Sequence, residues 1–218
     1  MTGIFKRTRT KEIISTWEEF KNCLKMGKAK EFFGENASME VQVEDFGAVV
    51  FDVLDYDKEK FADANKKRSV TLAVRDLIFD PMPFSQNGGN EWETSDIRKY
   101  INSEEFVNKF EPEFRDLLCK VYKANESKAK ETIDTFFLPS AEEVKGGYVF
   151  FENEKKRAKI TPEGEATWYW TRSATRGSAY YTWGSAYYTW GVNPSGYVSI
   201  NYGASWAGRF CPACVIAV

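Results

Sequence analysis

The order of apolar and polar positions predicts helices at the front and in the middle of the chain, with strands between and after them. Ser15-x-x-Glu18 and Thr16-x-x-Glu19 are capping boxes, in which a hydroxyl and a carboxylate satisfy the free amides of a helix start. Trp17, Phe20 and Leu24 then share one face, Gly27 supplies a stop, and a second short helix covers 28–33. Met39, Val41 and Val43 alternate as a half-buried strand, whereas 48–54 (AVVFDVL) is apolar on both faces, as a central strand is. Val70, Leu72 and Val74 alternate again, and Asn87-Gly-Gly-Asn90 is a loop.

Ser95 or Thr94 caps a helix with Ile97, Tyr100 and Ile101 inward, and Phe106, Val107 and Phe110 add a further turn. Pro112 suits a first helical position. Phe114, Leu117, Leu118 and Val121 follow at i, i+3, i+4 and i+7, so this helix is expected to run to 121 and to carry Cys119. A strand at 135–138 and a third capping box, Ser140-x-x-Glu143, come next. Helices and strands in this order make an α+β chain, with no repeating βαβ unit.

The character of the chain changes at residue 168. The last 51 residues contain no Asp or Glu and three Arg (172, 176 and 209), so this part carries +3 and the remainder −5, which sum to the net −2. They also hold five of the seven Trp and seven of the eleven Tyr. Within them, Gly177-Ser-Ala-Tyr-Tyr-Thr-Trp183 recurs unchanged as Gly184-Ser-Ala-Tyr-Tyr-Thr-Trp190. Two such units are too few and too short for a solenoid. A segment that tolerates a duplication behaves as an exposed loop does. Its Tyr, Trp, Ser, Gly and Asn are the alphabet of binding loops: rigid aromatic contact area beside adaptable hydrogen-bonding groups. An aromatic β core accounts for Trp168, Trp170 and Val198. It does not account for the neighbouring pairs Tyr180-Tyr181 and Tyr187-Tyr188, because adjacent strand residues point to opposite faces.

Composition narrows the chemistry. The chain has 218 residues, 43% hydrophobic and 28% charged, the balance of one large or two small globular domains. A net charge of −2 argues against a phosphate-neutralising surface. The absence of histidine removes Ser-His-Asp and Cys-His catalysis and every His-bearing metal site. Residues 1–15 have no apolar stretch of signal-peptide length, which points to a cytoplasmic or virion-associated protein. Asp52, Asp55, Asp57 and Glu59 lack the glycine and closing glutamate of an EF-hand, with Lys66 at the twelfth place, and read as a solvated turn between strands. Cys211-Pro-Ala-Cys214 has the spacing of a redox pair but is followed by a strand in place of a helix, so buried structural thiols are expected.

Taken in order, these residues resemble an uncharacterised bacterial and phage family with a C-type-lectin-like fold, some of whose members are the variable proteins of diversity-generating retroelements. The resemblance spans roughly residues 25–218 and begins with Gly27-Lys-Ala and the strand pair at 41–54. Trp92-Glu-Thr-Ser-Asp-Ile-Arg98-Lys-Tyr-Ile-Asn102 matches the family's W-x-x-S-x-[LI]-R-x-[WY]-[LI]-N. Phe106, Phe110, the helix from Pro112 and Leu138-Pro-Ser-x-Glu-Glu-Val144 follow. Trp168-Tyr-Trp-Thr-Arg-Ser173 is similar to WW-x-R-S, ahead of Gly196 and Val198, and Gly208-Arg-Phe-Cys-Pro-Ala213 stands where the family ends G-[VF]-R-P-A. Cys211 occupies the place of an arginine there, so the family's buried anchor is lost or moved to Arg209.

The resemblance implies a mixed antiparallel sheet flanked by helices, with a long irregular C-terminal half. Residues 1–35 would form a helical segment packed on a domain at 36–218, with 168–213 as the variable, ligand-contacting region. It implies a binding protein without catalytic residues, metal or cofactor, whose partner is a protein or another cell-surface ligand, without nucleic acid or membrane insertion. The contact residues it implies are Tyr180, Tyr181, Tyr187, Tyr188, Trp190, Asn193, Tyr197, Ser199, Asn201, Tyr202, Ala204, Ser205 and Trp206. The calcium signatures of sugar-binding C-type lectins are absent. Three rival readings remain: a carbohydrate-binding module of fixed specificity, a thiol-redox protein using Cys211 and Cys214, and a structural surface protein.

Overall fold

Of the possible starts, the first helix uses Thr16, whose Oγ1 accepts from the Glu19 amide at 3.2 Å. A computed structural model describes residues 5–6, 16–125, 131–175 and 188–218. After the short strand β1 (Phe5–Lys6), α1 (Trp17–Lys25) buries Trp17, Phe20, Cys23 and Leu24, and α2 (Ala29–Phe33) follows Gly27. Gly27 has φ +68°, a left-handed value that lets the chain reverse between the two helices. Phe20 packs on Phe33 and Trp17 on Phe114, so residues 17–33 share the core of the remainder of the chain.

Strands β2 (Ser38–Val43), β3 (Gly47–Tyr56) and β4 (Ser69–Val74) form the next part of the chain, and β13 (Ala213–Ala217) forms its end. With β1 and β8 (Phe136–Phe137) they make a six-stranded antiparallel sheet in the order β1-β2-β3-β4-β13-β8. Only β2 keeps the alternation expected of a half-buried strand. Every residue of β4 and β13 is buried, because both lie inside the sheet with covered faces. Asp52 and Asp55 belong to β3 and not to a solvated turn. Asp52 is buried and paired with Arg75, whose Nε and Nη2 both reach its Oδ1.

The middle of the chain covers the sheet with short helices: α3 (Asp96–Ile101), α4 (Glu104–Asn108) and α5 (Pro112–Arg115). The third is shorter than its apolar spacing predicts. Beyond Arg115 the backbone runs beside β13, with Cys119 N donating to Val215 O and Ala217 N to Leu117 O. These bonds replace helical ones, so Cys119 lies outside the helix and Val121 falls in β6 (Val121–Lys123), paired with β7 (Thr132–Asp134). Phe106, Phe110, Phe114, Phe51 and Phe136 form a continuous run of rings, with Phe110 stacked on Phe136 at 4.8 Å. Two small ladders complete the set: β5 (Met82–Pro83) with β12 (Ala207–Gly208), and β9 (Tyr169–Ala174), β10 (Tyr188–Val192) and β11 (Val198–Gly203) in the order β11-β10-β9. A last helix, α6 (Glu154–Arg157), precedes β9. The architecture is α+β with antiparallel sheets. Among the described residues no helix is long and apolar enough to cross a membrane.

The Trp92-to-Asn102 segment is a scaffold device. Trp92 Nε1 donates to Asp134 Oδ2 at 2.9 Å and Arg98 Nε to Asp134 Oδ1 at 2.7 Å, while Thr132 Oγ1 adds a third donor. Ser95 caps α3 by accepting from the Arg98 amide. Asn102 closes the segment by donating to Phe136 O and accepting from the amides of Thr135 and Phe136. Asp134 is wholly buried, so an Asp134→Ala variant leaves Trp92, Thr132 and Arg98 without their shared acceptor. A loss of about 3 kcal/mol is expected in urea unfolding.

Candidate functional site

The aromatic region is organised by small residues that make room for large ones. In the β11-β10-β9 ladder Gly191 pairs with Trp170 on one side and Ser199 on the other. A Cβ at Gly191 would stand 2.6 Å from the Tyr202 ring, and one at Gly208 would stand 2.2 Å from Trp168. The two glycines thus let Tyr202 and Trp168 stack at 4.2 Å with 12° between their planes. Trp170 meets Trp168 edge-on at 4.7 Å and donates from Nε1 to Met82 O. Trp168 and Tyr202 remain half-buried, at the boundary between core and solvent.

The thirteen residues expected to contact ligand fall into distinct groups. Tyr180, Tyr181 and Tyr187 lie outside the described residues, and of Asn201 only the backbone, in β11, is described. Tyr197 and Trp206 are exposed, at 59% and 53%, and Ser205 is exposed beside Trp206. Tyr188 and Trp190 are half-buried on either side of the fully buried Thr189, the alternation a strand imposes. The Lys145 ammonium sits 4.3 Å from the Trp190 ring centre. Ser199 is half-buried.

One expectation is corrected. Ala204 is buried, with its carbonyl accepting from the Ser85 amide, so its methyl belongs to the packing and not to the surface. Asn193 Oδ1 accepts from the amides of Ser195 and Tyr197 and from Ser195 Oγ, which commits this oxygen to holding the 193–197 turn.

Apart from Lys145 over Trp190, the cations described in this region are paired internally. Arg209 Nη1 donates to Phe79 O at 2.7 Å, so Arg209 supplies the backbone anchor near the chain's end while Cys211 Sγ donates to Val74 O. Arg172 is buried in β9 and grips both oxygens of Glu143, besides donating to Leu138 O. Lys123, 2% exposed, donates to Glu59 at 2.6 Å, to Glu143 at 3.1 Å and to the Tyr148 hydroxyl at 3.0 Å, above the Phe137 ring. Tyr148 in turn donates to Glu59. The Ser140-Glu143 capping box forms in both directions, with Ser140 Oγ accepting from the Glu143 amide and Glu143 Oε2 accepting from the Ser140 amide. The sequence motif gave no sign that this carboxylate also serves Arg172 and Lys123. Two cations and two carboxylates cancel, leaving a neutral buried knot beneath the aromatic ladder.

The thiols of Cys211 and Cys214 are free and buried, and burial pushes both up from the ordinary thiol range. Thiol redox chemistry needs the opposite, a thiol lowered toward neutrality. Among the described residues no group of three His, Cys, Asp or Glu is placed to hold a metal ion.

Residues 68–218 match the family described as a domain of unknown function, DUF6273. The chain belongs to this family. The DUF6273 segment begins one residue before β4 and takes in the aromatic ladder, the Asp134 cluster and the Arg172, Glu143 and Lys123 members of the buried charge knot, while α1, α2, β2, β3 and Glu59 precede it. No curated protein and no solved structure matches the chain.

Acidification tests the knot. Burial alone would raise the Glu143 carboxyl, but Arg172, Lys123 and the Ser140 amide outweigh it and hold the group down to about 2. An unfolded glutamate titrates near ~4.3, so this pairing stabilises the fold fully above that pH and is lost as pH falls toward about 2. Urea midpoints are expected to drop steeply over that interval. Glu143→Gln should flatten this part of the profile and lower stability at neutral pH by roughly 3 kcal/mol.

Proposed function

We propose that the protein is a ligand-binding scaffold that presents its C-terminal aromatic face to proteins or other surface ligands. The observation carrying this reading is the division of labour around the ladder. Arg172 and Arg209 are consumed internally, while Tyr197, Ser205 and Trp206 face solvent with Tyr188, Trp190 and Tyr202 beside them. A patch of Tyr, Trp and Ser, with the Lys145 ammonium over one of its rings, mounted on a rigid frame offers contact area at a small entropic cost. Affinity would come from burying a few ring faces, with Trp206 and Tyr197 as the leading anchors.

The finer reading is that the fold is C-type-lectin-like and that a retroelement diversifies the face. It rests on the family resemblance of the sequence and on the Tyr, Ser, Asn and Ala content of 180–205. Its deciding observation is genomic: a non-coding near-repeat of the codons for about 170–213, differing at template adenines, supports it, and flanking DNA without such a repeat removes it.

A half-exposed indole at Trp206 also suits a neutral saccharide, the carbohydrate-module reading. Titration with neutral polysaccharides, read by tryptophan fluorescence, separates the two. Saturable quenching that disappears in Trp206→Ala favours the saccharide. For either ligand, Tyr197→Ala with Trp206→Ala is expected to abolish binding while moving the thermal midpoint by no more than about 2 °C. A large fall in the midpoint would assign both rings to the core.

A further inference from the structure

We propose that Asn90 is a positioning residue for the two ends of the duplicated segment, a clamp on the backbone of residues 175 and 188 that makes one of the two heptads dispensable. Next to the Ala174–Thr189 pair of β9 and β10, the Tyr188 carbonyl accepts from both the amide and the hydroxyl of Thr175. The two hydrogens of Asn90 Nδ2 bridge these two residues from the side, one to Thr175 O at 3.0 Å and one to Tyr188 O at 2.8 Å. Asn90 is itself buried, and its own loop is held in place. Asn87 Oδ1 accepts from the Gly89 amide and from Ser85 Oγ, Ser85 N donates to Ala204 O, and Trp92, two residues on, is fixed to Asp134. One rigid bracket therefore holds the root of the duplicated segment and the start of the Trp206 turn together.

The two heptads are identical, so removing either leaves the same chain, in which Tyr-Thr-Trp-Gly still supplies positions 188–191 of β10. The clamp touches only backbone carbonyls at 175 and 188, so it does not read how many residues lie between them. Loop-closure entropy changes only with the logarithm of that number. The bracket thus accepts a shorter connection as readily as the present one. This inference concerns how the segment is mounted and stands whichever ligand the face takes.

The experiment uses the full chain, Asn90→Asp, Asn90→Ala and a variant lacking 177–183, with site-resolved amide exchange and thermal unfolding as readouts. Asn90→Asp keeps the shape but loses both donors. Exchange at the Thr175 amide is expected to accelerate at least about tenfold in both Asn90 variants, with the amides of β13 unchanged. The single-heptad protein is expected to keep Thr175 protected and its midpoint within about 2 °C of the parent. Unchanged Thr175 exchange in Asn90→Asp overturns the clamp, as does equal acceleration in β13, which would make Asn90 a support of the whole fold. Loss of Thr175 protection in the single-heptad protein, or a midpoint lowered by more than about 5 °C, overturns the dispensability of the heptad. Neither result bears on whether the face binds a ligand, so the two proposals fail separately.

Discussion

Two cations and two carboxylates cannot be taken out of water unless each finds its counterpart, and the Arg172–Glu143–Lys123–Glu59 knot meets that demand with residues from four distant segments. Arg172 comes from β9, Glu143 from the turn after Ser140, Lys123 from β6 and Glu59 from the connection between β3 and β4. The arrangement is costly to assemble, and breaking it is costlier, because any displaced partner strands a charge in the interior. The aromatic ladder inherits its position from this constraint. β9 is pinned by Arg172 on one flank, and β10 and β11 add outward from it.

The outer face works by different means. Its turns are closed by local side chains such as Asn193, its rings are accommodated by glycines, and Arg172 and Arg209 are spent inside. Few of these contacts reach the Phe51–Phe106–Phe110–Phe114 core. Tyr197, Ser205 and Trp206 therefore stand apart from the contacts that hold the molecule together.

Much of the framework was legible in the sequence because its signals are local. Thr16, Ser95 and Ser140 announced their caps, Gly27 its chain reversal, and the apolar residues flanking Asp52 between Val49 and Leu54 an inner strand. Reading failed where non-local bonds overrode local spacing. The i, i+3, i+4, i+7 pattern from Phe114 to Val121 describes a helix, yet its backbone groups find partners in β13, a strand almost a hundred residues on. The surface alphabet picked out Tyr197, Ser205 and Trp206 correctly as exposed. It could not separate Ala204, whose neighbours Gly203 and Ser205 are equally small, nor find Asn90, which lies 85 and 98 residues from the two carbonyls it holds and carries no motif of its own. The double service of Glu143 was hidden for the same reason: a capping box shows one duty of a carboxylate and conceals the second.

The place of β13 has a consequence for biosynthesis. This strand sits between β4 and β8 inside the large sheet and is the last of the sheet's strands to be made. Until it arrives, β4 has a vacant edge, and the nascent chain cannot close its interior. All the aromatic region lies between β4 and β13 in the sequence, so it must be spanned before the interior can be sealed. A sequence there that hinders the final strand from reaching its slot yields an open, protease-sensitive chain. The topology thus makes closure of the frame the last event of synthesis, conditional on the aromatic region having been spanned.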